Sequence, residues 1–165
     1  MRQIIELAKE TAGKYGGANV FETAENAGVK VWFRKLGSLK GFYLYENGVR
    51  YIVINEELDE SMKTVVCAHE LGHDQLHREL SGGKIRETTL FLENSKTERE
   101  ANLFAASLLI SDNDILSELE DESSLDVLAA RLGYPREIIA YKLKALNLEG
   151  FEFNISDIKH DFLKE

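Results

Sequence analysis

The chain has 165 residues, 44% of them hydrophobic, and a formal charge of −9 from 20 basic and 29 acidic side chains. That length buries one sizeable core with a small appendage and leaves no room for two large domains. The negative field repels phosphate backbones and anionic lipid, which argues against direct nucleic-acid binding, and no apolar run of about 18 residues exists to span a membrane.

In chain order, the opening MRQIIELAKETAGKYGG carries acidic residues and lacks the apolar stretch of a signal peptide. Cys67 is the single cysteine and has no internal disulfide partner, so a reducing cytoplasm is the expected location. Ile4, Ile5, Leu7 and Ala8 recur at helical spacing over residues 2–14, and Gly16-Gly17 ends that helix. A short helix is predicted over 20–26, stopping near Gly28. Val29, Val31 and Phe33 then alternate with Lys30, Trp32 and Arg34, which predicts a strand with one wetter face. Residues 41–45 and 49–54 flank Asn47-Gly48, a dipeptide that supplies the positive φ of a tight hairpin. The aromatics Trp32, Phe33, Phe42, Tyr43 and Tyr45 are read as core and sheet-face material.

Asp59 caps the next predicted helix, whose apolar spacing continues to about His77. Residues 80–96 read as a loop with one strand-like segment at Leu90-Phe91-Leu92. Ser95 or Thr97 opens a second long helix, with Ala101, Phe104, Ala105 and Leu108 on one face, ending near Ser111. Three further helices are predicted at about 112–119, 124–132 and 135–147. The expectation is an α+β fold in which a small, mostly antiparallel sheet packs on the two long helices. Residues 1–111 form its core, and 112–165 form a helical, helix-turn-helix-like appendage packed on it.

The chemistry concentrates in His69-Glu70-Leu71-Gly72-His73, an HExxH sequence. A helix brings residues four apart onto one face, so both imidazoles converge on one ion, and zinc accepts such nitrogens. Glu70 lies about 100° of helical turn past His69, so its carboxylate flanks the ion and is placed to take a proton from water. Gly72 removes a side chain between the two histidines, letting another helix approach closely. HExxH also arises by chance, but three of the four histidines cluster at 69, 73 and 77 on an inward face.

Two histidines leave a catalytic zinc short of a protein ligand, and the second long helix offers Glu98 and Glu100. Glu98 lies one turn before Ala101 on the apolar face, whereas Glu100 is rotated toward its edge; the facing favours Glu98, with Glu100 the alternative ligand. Ser95-Lys96-Thr97-Glu98 is also a capping-box sequence, which by itself explains a glutamate there. Asn102, one turn beyond Glu98, is placed to accept the free N–H of a ligating histidine. His77 either assists as an auxiliary donor or merely completes the helix. Cys67 falls on the opposite side and reads as a small core residue.

The stretch Cys67-Ala-His-Glu-Leu-Gly-His-Asp-Gln-Leu-His77, followed by Glu98-Arg-Glu-Ala-Asn-Leu-Phe-Ala-Ala-Ser-Leu-Leu109, resembles the ImmA/IrrE family of metallopeptidases. The hairpin segment from Gly48 to Asn55 is similar as well, and the likeness extends over about residues 20–147. The resemblance implies a thermolysin-like catalytic core and places the third ligand on Glu98. It also implies a protein substrate, a helix-turn-helix repressor encoded nearby on a prophage or mobile element. The family often has proline soon after the Leu-Leu pair, where this chain has Ile110-Ser111.

Two competing readings follow. One is a metal-containing regulatory module that binds a transcription regulator without cleaving it. The other makes residues 128–143 a DNA-binding helix-turn-helix. Arg136, Lys142 and Lys144 face only Glu137 within 135–147, but the acidic run at 118–126 precedes them, so packing or substrate docking is the better reading. An extended substrate adding to a free sheet edge beside the site is a further expectation.

Overall fold

Helix α1 (Arg2–Tyr15) buries Ile4, Ile5, Ala8 and Thr11 along one stripe, as the spacing dictates. Helix α2 (Val20–Asn26) is capped by the Asn19 side chain, which accepts the backbone N–H of Glu22. The computed structural model describes residues 1–78, 86–87, 95–119 and 124–153. The Leu90-Phe91-Leu92 segment lies outside the described residues.

Strands β1 (Val29–Arg34), β2 (Gly41–Glu46), β3 (Val49–Asn55) and β4 (Arg86–Glu87) form one sheet in the order β1-β3-β2-β4. β2 and β3 are the predicted antiparallel hairpin, and Asn47 and Gly48 both take positive φ, 51° and 79°, at its turn. β4 also runs antiparallel to β2, while β1 joins β3 in parallel, Val29 opposite Arg50 through Arg34 opposite Asn55. The link between β1 and β2 is fastened by buried Asn55, whose Nδ2 donates to the carbonyls of Gly37 and Leu39 at 3.1 and 3.0 Å. The aromatics divide between core and sheet face. Tyr43 is fully buried, whereas Trp32 and Phe33, on an outer strand, remain 44% and 37% exposed.

One sheet face, with Tyr43, Ile52 and Ile54, packs on helix α3 (Glu60–His77), whose Asp59 cap accepts from the Met62 N–H at 2.7 Å. Helix α4 (Lys96–Leu109) crosses α3 and also packs against α1, so its centre, Ala101 to Ser107, is buried throughout. Gly72 makes the crossing possible. A Cβ there would lie 3.2 Å from the Cα of Ala101 and 3.2 Å from the Phe104 ring.

Helices α5 (Asp112–Glu118), α6 (Leu125–Leu132) and α7 (Arg136–Glu149) complete the described chain. Gly133, at φ 72°, ends α6 in the left-handed conformation. α7 packs on α4, α6 and α1, and every residue from Ile138 to Leu143 is buried. A recognition helix must present an open face to DNA; this one is enclosed. Lys142, counted above among the cations of that segment, is fully buried and paired with Asp112, which also receives Lys9 at 2.7 Å.

Candidate metal centre

α3 is buried from Val65 to Asp74 because it lies between sheet and α4, and its two sides carry different chemistry. On the α4 side, His69 and His73 sit one turn apart with Nε2 atoms 3.1 Å from each other. Glu98 enters from the first turn of α4, with Oε2 3.2 Å from His69 Nε2 and Oε1 3.3 Å from His73 Nε2. Half of the capping box operates, since Ser95 Oγ accepts the Glu98 N–H at 3.2 Å, while the Glu98 carboxylate faces the histidines. That is the facing the sequence favours. Glu100 points elsewhere, its Oε2 3.0 Å from His77 Nε2.

These three residues form the group able to hold a metal ion among the described residues. A tetrahedral ion with bonds of about 2.0–2.1 Å requires ligand atoms about 3.3–3.4 Å apart. The two Nε2 atoms are 3.1 Å apart, and each has its own Glu98 oxygen at 3.2 or 3.3 Å, separations close to that edge length. Glu98 Oε2 is buried and accepts no aligned hydrogen bond among the described residues, despite its approach to His69. An oxygen so placed fits the donor set of a cation site. His69 Nδ1 donates to Asn102 Oδ1 at 2.8 Å, which leaves the lone pair on Nε2, toward the site.

Protonation favours the same use. Burial, helped by the neighbouring imidazoles of His69 and His77, pushes His73 down to about 4 against the opposing pull of Glu98. Burial alone would raise Glu98, but its contacts with His69 and His73 outweigh that and hold it down at about 2. A neutral imidazole and an ionised carboxylate, the forms a metal takes, therefore coexist at neutral pH. Glu70 is fully buried, and burial first, then the Glu98 charge, raise its carboxyl well above the ordinary range, while a hydrogen bond from the Tyr43 backbone acts in the other direction.

The sheet side holds residues that the sequence reading missed. Fully buried Asp74 receives Tyr43 Oη at 2.9 Å, Arg50 Nη1 at 2.9 Å, Arg78 Nη2 at 3.0 Å and Gln75 Nε2 at 2.6 Å. Arg50 also donates to the Ala27 carbonyl at 2.6 Å. The clue was the position of Asp74, one step past His73 and so rotated off the ligand face toward the sheet. Cys67 is buried core, and burial raises its thiol. Strand β4 pairs with Phe42 and Tyr43, so the β2 edge nearest Glu70 is already covered there, and the expectation of an added substrate strand at those residues fails.

A sheet-backed HExxH helix meeting a glutamate from the next helix defines the class: a metallopeptidase centre. Residues 24–144 match the peptidase M78 family, described as the IrrE N-terminal-like domain. The chain is 38% identical over 130 residues to the immunity region protein 2 of Bacillus phage phi105, covering 78% of this chain and 82% of that one. It is 30% identical over 137 residues to the metallopeptidase ImmA of Bacillus subtilis (strain 168), covering 80% and 79%. The chain belongs to the ImmA/IrrE family of metallopeptidases.

Among the described residues, no helix is long and apolar enough to cross a membrane.

Proposed function

We propose that the chain is a zinc-dependent endopeptidase acting in the cytoplasm on a protein substrate, a helix-turn-helix transcriptional repressor encoded nearby on a prophage or mobile element. The observation that carries the reading is the convergence of the Glu98 carboxylate on two imidazole nitrogens at 3.2 and 3.3 Å, with the buried Glu70 on the adjoining helical position. The repressor rests on the family resemblance, and the name of the phage phi105 relative supports a place in a phage immunity region.

In this reading His69, His73 and Glu98 hold the ion, and Asn102 fixes the His69 ring. When bound, zinc supplies Lewis acidity, polarising the scissile carbonyl and making water acidic enough to yield hydroxide near neutral pH. Glu70 takes the proton from the attacking water on its carboxylate and delivers it to the leaving amide nitrogen. Its raised proton affinity makes it a stronger base toward the water, and the departing amide nitrogen, more basic still once the C–N bond breaks, takes the proton on. Enclosure between sheet and α4 keeps bulk water from competing for the proton.

The experiment is metal analysis of the purified protein, followed by incubation with the neighbouring repressor, with zinc and with a chelator. One zinc per chain and a chelator-sensitive cut support the reading. Stoichiometric zinc with an intact but bound repressor in every lane favours the regulatory module that binds without cleaving. Absence of bound zinc overturns both.

A further inference from the structure

His77, one turn past His73, is 5% exposed and lies outside the His69, His73 and Glu98 group. Its Nδ1 lies 3.1 Å from His73 Nδ1, and its Nε2 lies 3.0 Å from Glu100 Oε2. Two facing imidazole nitrogens make a hydrogen bond only if one carries hydrogen and the other a lone pair. A carboxylate oxygen accepts and does not donate, so the Glu100 contact places the His77 hydrogen on Nε2. With its hydrogen on Nε2, the His77 ring offers the lone pair of Nδ1. His73 must supply the hydrogen of the shared bond from its own Nδ1, which leaves its Nε2 bare.

We propose that Glu100 and His77 form a positioning relay that fixes the tautomer and ring orientation of His73, so that Glu100 acts on the metal site through two imidazoles. The inference rests on the reading of His73 as a ligand. The two ligand histidines are thus served differently. His69 is oriented directly by the neutral amide oxygen of Asn102, whereas His73 is oriented by a carboxylate one residue further away. With both Nδ1 hydrogens directed outward, the two Nε2 lone pairs and the Glu98 oxygens point into one small volume, where only a cation relieves their mutual repulsion. Outer partners of this kind typically change metal affinity by about 10–100-fold when removed.

The test is zinc affinity, measured by competition with a chromophoric chelator, together with long-range ¹H–¹⁵N spectra of the histidine rings in the metal-free protein. The relay predicts Nδ1–H on His73 and Nε2–H on His77 in the wild type. Glu100→Ala is expected to weaken zinc by about 10–100-fold and to mix the His73 tautomers, while Glu100→Gln, which keeps an acceptor oxygen, recovers most of the affinity. His77→Phe is expected to weaken zinc comparably, and combining it with Glu100→Ala adds little, because both interrupt one chain. Unchanged zinc affinity in Glu100→Ala, additive losses, or Nε2–H on wild-type His73 each overturn the relay. If His77→Phe fails to fold, the Glu100 variants and the wild-type spectra still decide. Wild-type protein that binds no zinc while showing the predicted tautomers overturns the zinc reading and leaves the hydrogen-bond chain standing.

Discussion

His73 and Asp74 are consecutive on α3, yet they belong to opposite kinds of polar cluster. The Asp74 side is complete in itself: a buried carboxylate receives four donors from the sheet and its own helix. The His73 side brings acceptor atoms of three residues together with one carboxylate oxygen unserved. A satisfied buried network fastens a fold, whereas a convergence of unserved acceptors is arranged for something that is not protein. The lesson is that neighbouring buried charges are told apart by counting their donors.

Five experiments break or sharpen this contrast, in order of decreasing effect. On the proposed reading Glu70→Gln keeps the zinc ligands and removes the proton shuttle, so repressor cleavage is expected to fall by about 10²–10⁴-fold with zinc content unchanged by metal analysis. Next, zinc at about 1,000 times its Kd is expected to add about 4 kcal/mol to unfolding stability in urea, an increment lost in Glu98→Ala. Asp74→Ala is expected to lower the stability of the metal-free protein by about 3 kcal/mol, because Tyr43 and Arg50 lose a buried partner. The same variant should still gain from zinc; if its zinc increment vanishes, the two clusters are one unit.

Gly72→Ala tests the spacing between the ligand helices, since the added methyl meets Ala101 at 3.2 Å and must push α4 back. A loss of about 1–3 kcal/mol in thermal or urea unfolding is expected, with weaker zinc binding because Glu98 rides on α4. The smallest effect lies far from the site. Burial would raise Asp112, but hydrogen bonds from Lys142 and Lys9 outweigh it and hold its carboxyl below the ordinary 3.8. A depressed folded value stabilises the protein above the unfolded value and is lost as pH falls through the folded one. Stability should therefore decline further below pH about 4 in wild type than in Asp112→Asn, as read by thermal melts across pH.

Much of the site was legible because its determinants are local. HExxH spacing, the Asp59 and Ser95 caps, the Asn47-Gly48 turn and the facing of Glu98 over Glu100 all follow from helical or hairpin periodicity within a few residues. What escaped depends on distant pairing. The parallel docking of β1 on β3 joins segments whose adjacency no local pattern encodes. Asp74 finds Arg50 and Tyr43, 24 and 31 residues earlier in the chain. Lys142 looked like a surface cation and proves to be a buried one, because its partner Asp112 lies 30 residues away. Which of the aromatics read as core and sheet-face material would be covered also escaped: Trp32 and Phe33 sit on an outer strand that no further strand covers among the described residues.

The enclosure of α7 bears on how far the enzyme can be shortened. Its apolar side, with Ile138, Ile139 and Leu146, shares one continuous core with Leu103 and Phe104 of α4, the helix that carries Glu98. Trimming the chain at residue 111 would strip the rear support from the helix that delivers the carboxylate. The last helices thus serve as scaffolding behind the reaction centre, and the smallest working fragment must retain them.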